Sequence, residues 1–493
     1  MRILIADDSV ARSTALRPLF QAAGKGSSAK RLRGKSAAAA GKLIVSCAPG
    51  RKAARRTRDE ECACSGLDLG DQPEQAATTL DALGIALLNR GCLTEGAPLI
   101  ELARQIRLKF FGKDHPATAA SQNSYSRVLR ERGDYDDAQE AAQDALRINR
   151  AVFGERGLPV AISLNELGVS QLLQGQFEDA QRSASEGIAI IDALGLLQSD
   201  PNTTRLMDVR GRAEAGQGKL AVAAATYKTL LALDRRQLGT TTHPKYATHL
   251  ANFGLVKEAQ KKIGQAEKDY RQAISVYFTS LNRPCHPNLI DAYANLGSLL
   301  RARNKSSRES QEAGKLLEKA LRLGRQIRGE SHALVGNDHA NLARWQYDAG
   351  DGKAAMESFS QALRIYTRNV KRGRLPASHF YIAEALTWKG RLLVETDRAG
   401  GAAQAEPLLN DAIRIWPVQL GADTVGEAVA KACLGRALYL QGKDPTLARQ
   451  LLEFAYPIIL AAIGKDHELA KRVRKWLSDV GSRGSSPATS QAL

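Results

Sequence analysis

The stretch VAISLNELGVSQLLQGQFEDAQRSASEGIAIIDAL, Val160–Leu194, is the unit on which the rest of the chain is built. Its first half carries Ile162, Leu164, Leu167 and Leu172 around the small Gly168, and its second half carries Ala180, Ala184, Ile188 and Ile191. Both sets have the spacing of one helix face. Between them Gln174-Gly175-Gln176 predicts a turn, because glycine ends a helix in the left-handed region without a Cβ penalty. The expectation is a helical hairpin that needs neighbours to cover its apolar faces.

The sequence supplies those neighbours at nearly constant spacing. The dipeptides His115-Pro116, Leu158-Pro159, Asp200-Pro201, His243-Pro244 and His286-Pro287 place successive prolines 43, 42, 43 and 43 residues apart. A small residue recurs in each first helix as Gly84, Ser126, Gly168, Gly211, Gly254, Gly297, Ala343, Gly390 and Gly435. A second series runs Gly96, Ala138, Ala180, Ala223, Ala266 and Ala355, with an aromatic residue such as Tyr135 or Phe177 three places before. About nine repeats follow from this register.

Small residues at fixed places in both helices, with that preceding aromatic, resemble the tetratricopeptide repeat. The longer period, the asparagine of Ala294-Asn295-Leu296-Gly297 and the linker Phe111-Gly112-Lys113-Asp114-His115-Pro116 resemble its kinesin light chain-like branch. The resemblance covers roughly residues 76 to 480 and implies an all-α, right-handed superhelical solenoid. Association with a motor is not implied, because the heptad coiled coil through which kinesin light chains join their heavy chains is not found.

Composition agrees with a helical array. The chain has 493 residues, 43% of them hydrophobic but only 5% aromatic, which suits alanine- and leucine-rich helix packing. No uninterrupted apolar run of bilayer length is present, so no membrane association is expected. Asp7 and Asp8 break the opening apolar run Ile3–Ala6, against a signal peptide, so a cytoplasmic location is the default expectation. Cys47, Cys62, Cys64, Cys92, Cys285 and Cys433 have neither metal-site spacing nor a place in the repeat, which predicts reduced thiols.

The first 24 residues, MRILIADDSVARSTALRPLFQAAG, read as a short strand, an acidic pair and an amphipathic helix. They resemble the start of a response-regulator receiver domain, in which such a pair, here Asp7 and Asp8, helps to hold magnesium for phosphoryl transfer. The strands, phosphoacceptor and lysine of a complete receiver do not follow. Residues 25–75 are a basic low-complexity linker, expected to be disordered, with the cluster Arg51-Lys52-Ala53-Ala54-Arg55-Arg56-Thr57-Arg58. That cluster reads as a solvated linker before it reads as a nucleic-acid patch or import signal. An artefactual junction between a receiver start and the array, or a transit peptide, are the other readings of this leader.

Of the net charge of +18, the first seventy residues carry +8, with fourteen basic against six acidic residues. The rest is dispersed, a pattern that speaks for solubility more than for nucleic-acid binding. The array is expected over 76–467, its first pair being Leu80–Asn89 and Glu95–Phe110, with an exposed polar loop at Lys305–Glu312. Pro407, Pro445 and Pro457 are expected at irregular helix starts or kinks. A capping helix at 468–480 and a disordered tail at 481–493 complete the expected chain.

No phosphate-binding loop, zinc-protease motif or nucleophile elbow occurs, no cofactor is implied, and the glycine-dense stretch Gly211–Gly218 is read as part of a repeat. The chain is therefore read as a non-enzyme. Four of the eight histidines stand at inter-repeat turns, where capping is the expected role. The informative pattern lies on the first helices. Asparagine recurs as Asn123, Asn165, Asn252, Asn295 and Asn341, and arginine as Arg127, Arg212, Arg344, Arg391 and Arg436, with Arg130 and Arg301 one turn on.

Residues three or four apart share a face, so Asn123 with Arg127, and Asn341 with Arg344, point the same way. An asparagine amide can read an extended backbone and a guanidinium can grip a carboxylate. The candidate site is thus Asn123, Arg127, Asn165, Asn252, Asn295, Arg301, Asn341 and Arg344, for a protein or peptide ligand with acidic residues or a free C-terminus. The resemblance implies such use of the concave groove. The same residues could instead hold the repeats in register, with the arginines paired to Asp208, Glu384 or Glu395, and Glu166, Glu258 and Asp291 make the groove mixed in sign. The function expected is a scaffold or adaptor. A repeat output module of a phosphotransfer protein and a basic nucleic-acid-binding array are the alternatives.

Overall fold

The computed structural model describes residues 72–89, 92–280, 286–303, 306–396, 400–420 and 424–483. The receiver-like opening, the 51–58 cluster, Cys47, Cys62, Cys64 and Cys285 lie outside these residues. The described chain is helical throughout, with nineteen helices and no strand among those residues.

The helices are α1 Pro73–Asn89, α2 Leu93–Phe111, α3 Pro116–Arg132, α4 Tyr135–Phe153, α5 Leu158–Leu173, α6 Phe177–Ala193, α7 Pro201–Gly216, α8 Leu220–Leu238, α9 Pro244–Ala259 and α10 Ile263–Ser280. They continue as α11 Pro287–Arg303, α12 Ser307–Arg328, α13 Ala333–Asp348, α14 Gly352–Lys371, α15 Phe380–Thr396, α16 Gly400–Leu420, α17 Val425–Leu440, α18 Pro445–Ile463 and α19 Glu468–Arg483. Consecutive helices pair as hairpins, α19 standing alone at the end. Two compact units are distinguished. One runs up to Val128 and includes Ala141–Gly154, and the other comprises Leu129–Glu140 and Glu155 onward.

The periodic prolines are helix starts. Pro116, Pro201, Pro244 and Pro287 are first residues of their helices, where the missing N–H would have no intrahelical acceptor and the fixed φ is already helical. The residue before each supplies the cap: the Asp200 side chain accepts from the Asn202 N–H at 2.7 Å, and the His243 ring accepts from the Lys245 N–H at 3.1 Å. The hairpin turns at Gly133, Gly175, Gly218, Lys261, Gly350 and Gly442 each carry a residue with positive φ, Gly175 at 77° being the type case.

Inside a hairpin the two helices approach until a side chain of one lies on the backbone of the other. A Cβ at Gly254 would stand 2.7 Å from the Tyr270 ring, which is fully buried on the facing helix. The small residue of each first helix is therefore a packing requirement.

In the second unit the chain also meets itself across a long stretch of sequence. His379 bonds the Leu173 carbonyl at 3.2 Å, and Arg374 pairs with Asp134 at 2.5 Å. Tyr135 is 2% exposed and lies in one cluster with Ala333, Tyr366 and Leu375, against which Leu173 and Tyr381 also pack. Further on, Lys261 Nζ donates to the Ala462 carbonyl at 3.0 Å.

Several expectations are corrected in detail. α1 begins at Pro73 and not at Leu80, so the first turns of the array reach into the expected linker. Ser307–Glu312 are helix and not loop, because Ser306 caps α12 by accepting from the Glu309 N–H at 3.2 Å, and Arg303 and Arg271 pair with Glu309 and Glu312. Pro407 and Pro457 lie inside α16 and α18, while Pro445 opens α18. α19 extends to Arg483, into the expected tail, and buries Leu469, Val473, Trp476 and Val480 along one face.

α18 is long and apolar enough to cross a bilayer by length and composition, although the sequence shows no unbroken apolar run. Its Arg449 and Glu453 pair at 2.8 Å, and Ala448, Leu452, Ala455 and Ile459 are fully buried in the C-terminal core.

Gly254→Ala is expected to destabilise the protein by about 1–3 kcal/mol, since the Tyr270 ring has to move. Gly264→Ala, where a Cβ meets nothing within 4 Å, should be neutral or stabilising by up to about 1 kcal/mol. Denaturant unfolding of the two variants checks the contrast, and equal losses would refute the packing role.

Candidate functional site

First helices of successive repeats touch in the second unit, as α5 does α7 and α15 does α17, whereas no pair of successive second helices shows comparable contact among the described residues. Crowding of this kind places the first helices on the inner side of the stack. The predicted residues all ride on first helices. Asn123 and Arg127 belong to the first unit; Asn165, Asn252, Asn295, Arg301, Asn341 and Arg344 belong to the second.

In the first unit Asn123 is buried and Arg127 donates to Asn89 Oδ1 at 2.6 Å, one repeat back. In the second unit the groups divide. Asn252 donates to Asp208 Oδ1 at 2.8 Å, across one repeat. Asn341 accepts from Arg344, which also pairs with Glu384 of the next repeat, and Arg301 pairs with Asp348 at 2.5 Å. Asn165 is 5% exposed and donates to Glu166 at 3.0 Å, leaving its buried Oδ1 without a partner. Asn295, half-buried, makes no side-chain hydrogen bond to the described residues.

Further cations of the same face are also answered by acids. Arg130 pairs with Glu166 at 2.5 Å, Arg391 with Glu395 at 2.9 Å and Arg436 with Asp479 at 2.8 Å. Arg391 lies between the Tyr347 and Trp388 rings, 5.1 and 5.0 Å from their centroids. The terminal helix α19 joins this cluster, as Arg472 reaches Glu395 at 2.7 Å and the Tyr347 hydroxyl at 2.9 Å. Burial, with the Arg344 charge beside it, lowers the pKa of Arg301, and burial raises that of Glu258. The inner surface is thus a set of crossed ion pairs with little net sign.

Sequence reasoning missed a second ladder. Gln174, Gln217 and Gln260, 43 residues apart, each donate to the carbonyl of the first residue of the preceding second helix, at Tyr135, Phe177 and Leu220, over 3.1, 3.2 and 2.8 Å. The signal was present in the glutamine that opens each of these hairpin turns, before Gly175, Gly218 and Lys261, but the turn at Gln174-Gly175-Gln176 was read only as a turn. The capping role expected of the histidines extends to six of them: the Nδ1 of His115, His243, His286, His332, His379 and His467 accepts the N–H two residues on. His249 instead meets buried Asp234 at 2.6 Å.

Among the described residues no group of three His, Cys, Asp or Glu side chains could hold a metal ion. Cys92 and Cys433 form no disulfide with the described residues, and burial pushes Cys433 up to about 12, far from reactive thiolate.

Asp338, three residues before Asn341 on α13, is 3% exposed, and burial raises its carboxyl to about 7 against the partial relief of Arg328. A group raised in the folded state binds protons better folded than unfolded, so its contribution is lost as pH rises from the ordinary 3.8 through about 7. Asp338→Asn should therefore gain on the parent by on the order of 1–3 kcal/mol between about pH 5 and about pH 8. Unfolding curves at both values check this; a constant difference would show that the carboxyl is ionised throughout.

A tetratricopeptide-repeat family model matches residues 75–151, 128–193 and 308–368. No curated protein matches the chain. Among solved structures, kinesin light chain nearly identical TPR-like repeats of Podosopora anserina are 19% identical, over 43% of this chain and 100% of that one, with a TM-score of 0.34. BtubC from P. vanneervenii is 20% identical over 50% and 92%, TM-score 0.36. A Rap protein complexed with Competence and Sporulation Factor is 14% identical over 75% and 99%, TM-score 0.45. Residues 75–193 and 308–368 thus match tetratricopeptide repeats, and helical hairpins continue along the other described residues.

Proposed function

We infer that the inner surface of the second unit binds an extended segment of a partner protein, without catalysis, so that the chain serves as a scaffold or adaptor. The observation that carries this reading is Asn295. Its amide stands at the place where neighbouring repeats tie the asparagine down, Asn252 to Asp208 and Asn341 to Arg344, yet it makes no side-chain hydrogen bond to the described residues. An amide with a donor and an acceptor on one face matches a peptide backbone, which offers the same pair. Asn165 Oδ1 is a second unused acceptor on the same series of helices.

Arg301 and Arg344 provide the carboxylate-binding part of the proposal, for an acidic side chain or a free C-terminus. Both are already paired, so a ligand carboxylate would take the place of Asp348 or Glu384. Exchange of one carboxylate for another changes the Coulomb energy little, so this part contributes selectivity of position more than affinity.

The test is an arrayed peptide library, each member with a free and an amidated C-terminus, probed with the full chain and with Asn295→Ala. Helicity and unfolding midpoint should be unchanged in the variant, while the peptides retained by the parent lose about tenfold or more in affinity, the worth of one or two hydrogen bonds. Equal retention by both proteins would remove the groove reading. Equal retention of free and amidated members would remove the terminal-carboxylate part alone.

A further inference from the structure

The contacts that bring the second unit back on itself form one seam. On one side lie the hairpin turn Gly133-Asp134-Tyr135 and the end of α5 at Leu173; on the other lie His332, Arg374, Leu375, His379 and Tyr381, about five repeats on in the same array. The fit is close. Gly133 has a φ of 81°, and a Cβ there would stand 3.4 Å from the His332 ring. These contacts tie the α3–α4 turn and the end of α5 to the segment from His332 to Tyr381, so that the first helices α5 to α13 stand between the two sides of the seam.

Both seam histidines have their two nitrogens committed. His379 Nδ1 accepts from the Tyr381 N–H at 3.2 Å, which leaves the proton on Nε2 to donate to the Leu173 carbonyl at 3.2 Å. His332 Nδ1 accepts from the Leu334 N–H at 3.1 Å, and its other edge faces Gly133 and the carbonyls of Glu131 and Arg130. A second proton on either ring would remove the cap acceptor and place a charge in a buried site.

We propose that this seam is an acid-sensitive latch, shut while His332 and His379 are neutral and opened by their protonation, so that the inner surface becomes accessible along its side.

The surrounding charges act in the required direction at His332. Burial and the facing Arg328 and Arg374 push it down to about 3, against the pull of the Glu131 and Arg130 carbonyls. His379, between the Phe380 and Tyr381 rings, is pushed down to about 4 by burial, against the Leu173 carbonyl. Asp134 works the other way. Its carboxyl is raised by burial in spite of Arg374, Arg132 and Arg372, with Asp137 adding to the rise, so acid favours the shut form through this group. Asp338 packs on Gly324 of α12, outside the seam.

On this proposal the rings move back from about 3 and about 4 toward the ordinary 6.5 as the seam opens. Below that pH the open form takes up protons that the shut form refuses, and the opening constant rises about tenfold per pH unit for each ring. At about pH 5 the rise is about thirtyfold for one histidine and about a thousandfold for the pair.

Small-angle scattering and far-UV dichroism of the full chain, at about pH 7.5 and about pH 5, read the latch directly. The expected result is a larger maximum dimension at the lower pH with unchanged helicity. His332→Asn with His379→Asn keeps a capping acceptor and removes the titration, so it should stay compact at both values. Asp134→Ala with Arg374→Ala, which removes the ion pair, should expand already at pH 7.5. Equal dimensions of the parent at both pH values would overturn the proposal, as would loss of helicity in step with expansion. Should the asparagine variant not fold, the parent and the ion-pair variant decide the matter by the same readings.

Discussion

The close approach of two helix backbones within each hairpin is the constraint on which everything else rests. Where Gly254 faces Tyr270, Gly211 faces Tyr227 and Gly390 faces Leu409, the space a Cβ would need is filled by the opposing side chain, at 2.7, 2.8 and 2.7 Å. The ring or branched side chain is buried by the backbone itself, and such burial is worth about 1.5–3 kcal/mol for a large apolar side chain. The approach also sets how far the chain advances per hairpin. Residues of one repeat thereby come within reach of their counterparts in the next.

Polar groups then use that reach. The turn glutamines bond backward to the start of the preceding second helix, and the arginines of the inner face bond to acids one repeat away. A hydrogen bond of this kind contributes about 1 kcal/mol net, but an unpaired buried carbonyl or guanidinium costs more, so a slipped register is penalised at every repeat. The apolar contacts leave register loosely fixed along a smooth interface of alanine and leucine. The polar ladders remove that freedom. The inner face is mixed in sign because Arg130, Arg301, Arg344, Arg391 and Arg436 each stand beside an acid.

The hairpins were legible in the sequence because their determinants are local. Gly168, Gly175 and Ala180 stand within a dozen residues of each other, and Pro201 or Pro244 marks a helix start without reference to anything distant. Boundaries were less legible where a cap overrode composition, as at Ser306, whose acceptor turned an expected polar loop into the first turns of α12. The site was legible as a series of positions but not as a set of partners. That Asn252 is tied to Asp208 and Asn295 is not depends on residues 44 apart in one case and on an unmet group in the other. The seam was beyond sequence reasoning, since His379 and Leu173 are separated by 206 residues and nothing in the period marks them.

A groove whose cations are already neutralised selects by a different route from a basic cleft. Long-range attraction is small when Arg130, Arg344 and Arg391 each stand beside an acid, so encounter owes little to net charge. A ligand carboxylate gains only the difference between its own fit and that of the acid it displaces. An amide with nothing to displace, such as Asn295, gains the whole hydrogen bond on binding, apart from the water it releases. In the proposed groove, discrimination accordingly moves from charge to backbone geometry: a segment would have to be extended, and in register, before its peptide groups met Asn295. The same logic makes access decisive. When no strong field draws a ligand in, the proposed latch would set how often a segment finds that register, through the contacts of Tyr135 and His379.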